Sequence, residues 1–143
     1  MSINFFTENV ALPVDNNQRL IKWITAVISD RNFKTGTINY IFCDDEYLLA
    51  LNKQYLDHDT YTDIITFDYS KEGIVSGDIF ISVDRVADNA KKYKQAFERE
   101  LHRVIIHGVL HLCGLKDKTE EESAHMRSQE DYYLTELVDY FQH

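Results

Sequence analysis

The chain has 143 residues, 44% of them hydrophobic, which is the size of a single domain able to bury a core of its own. Its 24 acidic residues outnumber the 15 basic ones and give a formal charge of −9, which excludes a protein that coats nucleic acid by bulk electrostatics, so any such contact has to be local. No apolar run of about 18 residues is present, and "MSINFFTENV" lacks the basic, apolar, small-residue order of a secretion signal, so a cytoplasmic protein with no membrane partner is expected.

In chain order, "INFFTE" reads as a first strand. "NNQRLIKWITAVISDRN" then sets Leu20, Ile21, Ile24, Val27 and Ile28 at helical spacing. "GTINYIFCDD" alternates Ile38, Tyr40 and Phe42 on one face, after which Asp44 or Asp45 can cap a helix through "EYLLALNKQYL". "TDIITFDYS" and "SGDIFISVD" read as adjacent strands joined by the glycine-containing "KEGIVSG". From Asp84 onward strand signals stop, and "DRVADNAKKYK", "FERELHRVIIHGVLHLC" and "TEEESAHMRSQEDYYLTELVDYF" read as three helices, the last opened by a capping box of Thr119 and Glu122. Pro13 stands alone and no repeat or low-complexity tract marks a linker, so residues 1–143 are expected to form one domain. The expected fold is α+β, a mixed sheet of about four strands with about five helices, three of them consecutive in the C-terminal half. Cys43 and Cys113 are too few and too distant for a disulfide framework and read as packed thiols.

Chemistry concentrates in "HGVLHLCGLKDKT", residues 107–119. At 100° per residue, Phe97, Leu101, Val104, Ile105, Gly108 and Leu112 form an apolar stripe, with Glu100, His107 and His111 along its border, where a cleft can open. Two imidazoles at i and i+4 lie one above the other and can reach one ion. Gly114 suits a left-handed cap that turns the chain back, so that Asp117 can complete a set of two histidines and a carboxylate. A lone histidine pair at this spacing occurs by chance; an otherwise apolar setting, where unpartnered imidazoles cost desolvation energy, favours metal. Cys113 falls on the opposite side of the helix, and His102, His125 and His143 read as solvated side chains. Gly108 occupies the place of the general-base glutamate of HExxH peptidases, which counts against peptidase chemistry, and it serves either tight helix packing or close approach of a substrate. A divalent ion on His107, His111 and Asp117 would activate water or polarise a phosphoryl oxygen, as phosphodiester hydrolysis requires.

These residues carry a resemblance. "HGVLHLCG", with a ligand-type side chain six residues after the second histidine, resembles the signature of the YbeY endoribonucleases; "LNKQYLDHDTYTDIITFDY" and "GDIFISVDRVADNAKKY" resemble other segments of that family, so that nearly the whole chain is covered. The resemblance implies an α+β metalloprotein that binds one Zn2+ per chain and cuts single-stranded ribosomal RNA. It further implies work on the small ribosomal subunit, at the 3′ end of 16S RNA, and in ribosome quality control, with a monomer expected. Two positions depart from the family pattern: Asp117 stands where the third ligand is a histidine, and Leu56 stands where an arginine is implicated in catalysis. The harder oxygen donor makes iron or manganese more competitive with zinc. His58 and Arg85 are the candidates for the missing positive charge toward substrate. Arg85, Lys91, Lys92, Lys94, Arg99 and Arg103 form a local excess of cations, while Tyr55 and Tyr61 could stack bases and Phe67 reads as core. Two alternatives remain at this level: a non-catalytic ribosome-assembly factor with a structural metal, and a non-haem iron enzyme using the same two histidines and carboxylate.

Overall fold

Strand β1 (Ser2–Glu8) is followed by α1 (Asn17–Asp30), β2 (Lys34–Cys43), α2 (Asp45–Leu56), β3 (Ile64–Asp68) and β4 (Ile74–Ser82). Three helices complete the chain, α3 (Val83–Lys92), α4 (Phe97–Leu112) and α5 (Glu120–Gln142). The computed structural model describes residues 2–14, 17–58 and 60–142, with side chains through 137; His143 lies outside the described residues. The strands form one sheet in the order β1-β2-β4-β3, parallel from β1 to β4, with β3 antiparallel to β4. This is the α+β fold, with its four-stranded mixed sheet and five helices, that the periodicities predict.

The alternation of β2 sorts the two faces. Ile38, Tyr40 and Phe42 are fully buried in the main core with Ile3, Ile79 and Ile81, under α1, α4 and α5. Cys43, on the other face, joins Ile65 and Leu48 in a smaller cluster covered by α2, with Phe67 and Phe80 at its edge. Parallel strands need long crossovers, and α1 and α2 supply them on opposite faces. Asp44 caps α2, its carboxylate accepting from the Tyr47 amide at 2.8 Å. Trp23, absent from the stripe read for the first helix, is fully buried, and its indole donates to the carbonyl of Tyr133 at 2.9 Å, tying α1 to α5.

Two expectations are corrected. The connection "KEGIVSG" is shorter than it reads, because β4 already begins at Ile74. The turn is Glu72–Gly73, both at positive φ (54° and 81°), closed by reciprocal Lys71 and Ile74 backbone hydrogen bonds at 3.0 Å. A two-residue turn of this hand matches the twist of the flanking strands, and the added length lets Val75 pair with Thr35 and enter the core. His102 is not solvated. It is 8% exposed and meets Trp23 edge-on at 6.2 Å between centroids. Helix α4 packs against α1 as well as the sheet, so its buried arc is wider than one stripe and takes in Glu100 and Ile106 too.

Gly108 is where α4 comes closest to the sheet. A Cβ there would meet two carbons of Ile79 at 3.0 Å and one of Ile64 at 3.1 Å, so the glycine serves helix-on-sheet packing rather than substrate approach. Gly108→Ala gains helix propensity but overpacks a buried contact against two side chains. The expected outcome in denaturant unfolding is a net loss on the order of 1 kcal/mol.

Candidate active site

Helix α4 ends in a Schellman motif. The Leu115 amide donates to the Leu110 carbonyl at 3.1 Å and the Gly114 amide to His111 at 3.0 Å, with Gly114 at φ 100°. This reverses the chain so that Asp117 returns over the helix it has just left, and its Oδ2 comes to 3.3 Å from Nε2 of His107. The His111 ring lies parallel to that of His107, 6.3 Å away between centroids, and is exposed. The reciprocal Thr119 and Glu122 bonds at 3.0 and 3.1 Å then start α5.

Helix α5 runs back alongside α4 and delivers a residue that the histidine motif alone does not reveal. Glu130, 5% exposed, accepts from Nδ1 of His107 at 2.6 Å and from Arg103 at 2.8 Å, and Arg103 also holds Asp131. An imidazole that donates from Nδ1 to a carboxylate keeps Nε2 as its bare, electron-rich nitrogen. That nitrogen is the one turned toward Asp117.

Around this pair opens a cleft of about 670 Å³. Its floor is α4, with Glu100, Arg103, Val104, His107 and His111; one wall is β3 and the loop before it, with Leu56, His58 and Asp63; the other is α5, with Ser123, Arg127 and Glu130, next to Lys118. The loop before β3 is pinned by Asn52, whose amide donates to the Thr60 carbonyl at 2.8 Å. Burial draws the His107 imidazole down, but the bond to Glu130 and the charges of Glu130, Asp117 and Asp63 outweigh it, and its pKa lies above the ordinary value. Burial also pushes the carboxyls of Asp63 and Glu100 above the usual range, with nearby cations opposing it. In His102 burial dominates and lowers the pKa.

His107, His111 and Asp117 are thus brought together at one end of α4, and His58 lines the same cleft. Arg85 is not brought there: its guanidinium is held by Asp45 at 2.8 Å and lies over the Tyr61 ring, and it does not line the cavity. Leu56 does line it, so the position of the family arginine faces the cleft with an apolar side chain. Cys113 is buried, with its thiol pushed up to about 11, as a packed thiol should be. Tyr55 and Tyr61 are exposed, whereas Phe67 is packed between the Tyr55 and Phe80 rings. Among the described residues, no group of three or more His, Cys, Asp and Glu side chains converges tightly enough to hold a metal ion. Also among them, no helix is long and apolar enough to cross a membrane. Glu100 was read from the sequence on the cleft border and Arg103 among the local cations, whereas Asp63 and Glu130 were not singled out; the one available signal is the i, i+4, i+7 spacing of Ser123, Arg127 and Glu130 on one face of α5.

An α+β sheet that backs a helix bearing two imidazoles, open to a cleft of carboxylates and cations, presents acid–base groups of the kind that hydrolytic chemistry uses. A family model described as Endoribonuclease YbeY matches residues 2–138. The chain is 52% identical over 131 residues to the Endoribonuclease YbeY of Flavobacterium johnsoniae, covering 92% of each chain. It is 51% identical over 135 residues to that of Porphyromonas gingivalis, covering 94% of this chain and 89% of the relative. A solution structure of a Thermotoga maritima protein is similar over 99% of this chain and 92% of its own, with a TM-score of 0.68 at 25% identity. The chain belongs to the Endoribonuclease YbeY family, and with it to the hydrolytic nucleases.

Half-buried His107 and buried His102 should titrate on opposite sides of the ordinary imidazole value when followed by NMR in metal-free protein, His107 above it and His102 below it. The signs differ for stability as well. As pH falls from the ordinary value through the lower His102 value, protonation favours the unfolded chain, whereas the His107 contribution is present in acid and is lost as pH rises through its raised value. Glu130→Ala should draw the His107 titration downward and destabilise the fold on the order of 2 kcal/mol, because Arg103 and His107 lose a buried charged acceptor together.

Proposed function

We propose that the chain is a divalent-metal-dependent endoribonuclease that cuts single-stranded ribosomal RNA. In this reading it acts in the cytoplasm as a monomer on the small ribosomal subunit, in 3′-end maturation of 16S RNA and in quality control. Family membership supports the nuclease part of the reading. The observation that carries the metal part is the polarity of His107, whose Nδ1 is committed to Glu130 while Nε2 faces the Asp117 carboxylate.

The donors suit such an ion. Two imidazoles and one carboxylate form a hydrolytic set that leaves a position open for water, and a buried carboxylate behind the first histidine is a usual partner of a metal-bound imidazole. His107, His111 and Asp117 would hold it, with zinc as the expected metal and a harder ion favoured by the Asp117 oxygen. When bound, the ion supplies an activated water or a polarised phosphoryl oxygen. The protein's own groups do the rest. Glu130 and Arg103 keep His107 in one orientation. Asp63, whose carboxyl is pushed up by burial, holds a proton more readily than an ordinary aspartate and can deliver it to the leaving oxygen of a cut phosphodiester.

A second reading drops catalysis and leaves a ribosome-assembly factor with a structural metal. Leu56 favours it, since an apolar side chain lines the cleft where the family pattern has arginine. Elemental analysis of wild type beside Asp117→Ala, each then incubated with single-stranded RNA with and without chelator, separates the two. Stoichiometric metal and chelator-sensitive cleavage, both lost in the variant, is the expected outcome. Full occupancy without cleavage in wild type would sink the catalytic reading, and full occupancy in the variant would remove Asp117 from the ligand set.

A further inference from the structure

The cleft has to meet a polyanion in a protein of charge −9, and the cation expected from the family pattern is replaced by Leu56. The carboxylates on its surface are unequal obstacles. Glu130 is ion-paired with Arg103 and hydrogen-bonded to His107, and burial pushes the carboxyls of Asp63 and Glu100 above the usual range. Of the cations, Arg103 is spent on Glu130 and Asp131, and Arg85 on Asp45 outside the cavity. Lys118 and Arg127 remain. Both are exposed and line the cleft, and no hydrogen bond or ion pair to a described residue engages either of them. Lys118 lies ahead of the Thr119 cap of α5, and Arg127 lies within the helix on the face that carries Ser123 and Glu130.

We infer that the RNA backbone is held on the α5 wall by Arg127 and Lys118, which take the part that His58 and Arg85 were expected to play, with Leu56 as an apolar opposite wall. The inference rests on RNA being the substrate. An exposed arginine on a helix can fork onto phosphate oxygens without first breaking another ion pair, and a lysine just ahead of that helix adds a second point charge. The strand then runs along α5 past His111 and Asp117 rather than along the β3 side.

The test is fluorescence anisotropy of a labelled oligouridylate over a series of salt concentrations, with the oligonucleotide checked for length after each titration. For single strands each phosphate neutralised contributes about 0.7 to the slope of log K against log salt. Arg127→Ala and Lys118→Ala should each reduce the slope by about 0.7 and raise KM with kcat little changed, and Arg127→Lys should restore the Arg127 share of the slope. An unchanged slope in both alanine variants, with a reduced slope in His58→Ala, overturns the inference while leaving the RNA reading intact. Wild type that does not bind the oligouridylate at all overturns the RNA reading and the inference with it.

Discussion

How low α4 can lie on the sheet governs the rest of the molecule. Gly108 presents hydrogens where any other residue would present a carbon, and Ile79 and Ile64 fill that space. The helix therefore settles deep enough to bury residues on three sides, against β3 and β4, against α1 through His102 and Trp23, and against α5. His107 sits next to this contact and His111 one turn later. Their height above the strands is thus set by a packing contact of the core, with no flexible segment between. A site built on a buried helix inherits the rigidity of the interior.

The charge of the chain and the charge of the cleft are different quantities. Acidic residues are spread along the whole chain, with three in the first turn of α5, and the 24 of them against 15 basic residues set the formal value of −9. Inside the cleft Glu130 is paired and burial raises the carboxyls of Asp63 and Glu100, because a charge removed from water is either paired or pushed toward its neutral form. The relay from Asp131 through Arg103 and Glu130 to His107 is the paired case, and Asp63 is the case where burial wins. Both lower the repulsion that a phosphodiester would meet.

What the sequence disclosed followed from hydrophobic period. Strands with a period of two and helices with a period near 3.6 placed all nine elements, and the turn of Gly114 and the capping box at Thr119 were readable from residue type. Polar stripes leave no such trace. Glu130 lies in a segment that looks solvated, and only the return of α5 over α4 buries it. His102 was missed because a helix packed on two partners buries an arc that one apolar stripe understates. Arg85 sits close in sequence to the family's Gly-Asp-Ile strand, yet Asp45, forty residues earlier, claims its guanidinium. Pairings of that range depend on the sheet order β1-β2-β4-β3, which no local pattern encodes. The early start of β4 belongs to the same class, since its first residues pair with β2, far away in sequence.

The route of α5 also has a consequence in time. Trp23 in α1 bonds to Tyr133, Tyr133 in turn donates to Asp30, and Arg31 reaches Gln129, so the first helix is fastened by the last. His107 receives its oriented partner only when residue 130 is present. A ribosome making this chain from its N-terminus has exposed the sheet and α4 well before those contacts can form, since domains close as units once their sequence is available. His107 is therefore held in working orientation only once residue 130 has emerged, and a chain truncated before it lacks that orientation.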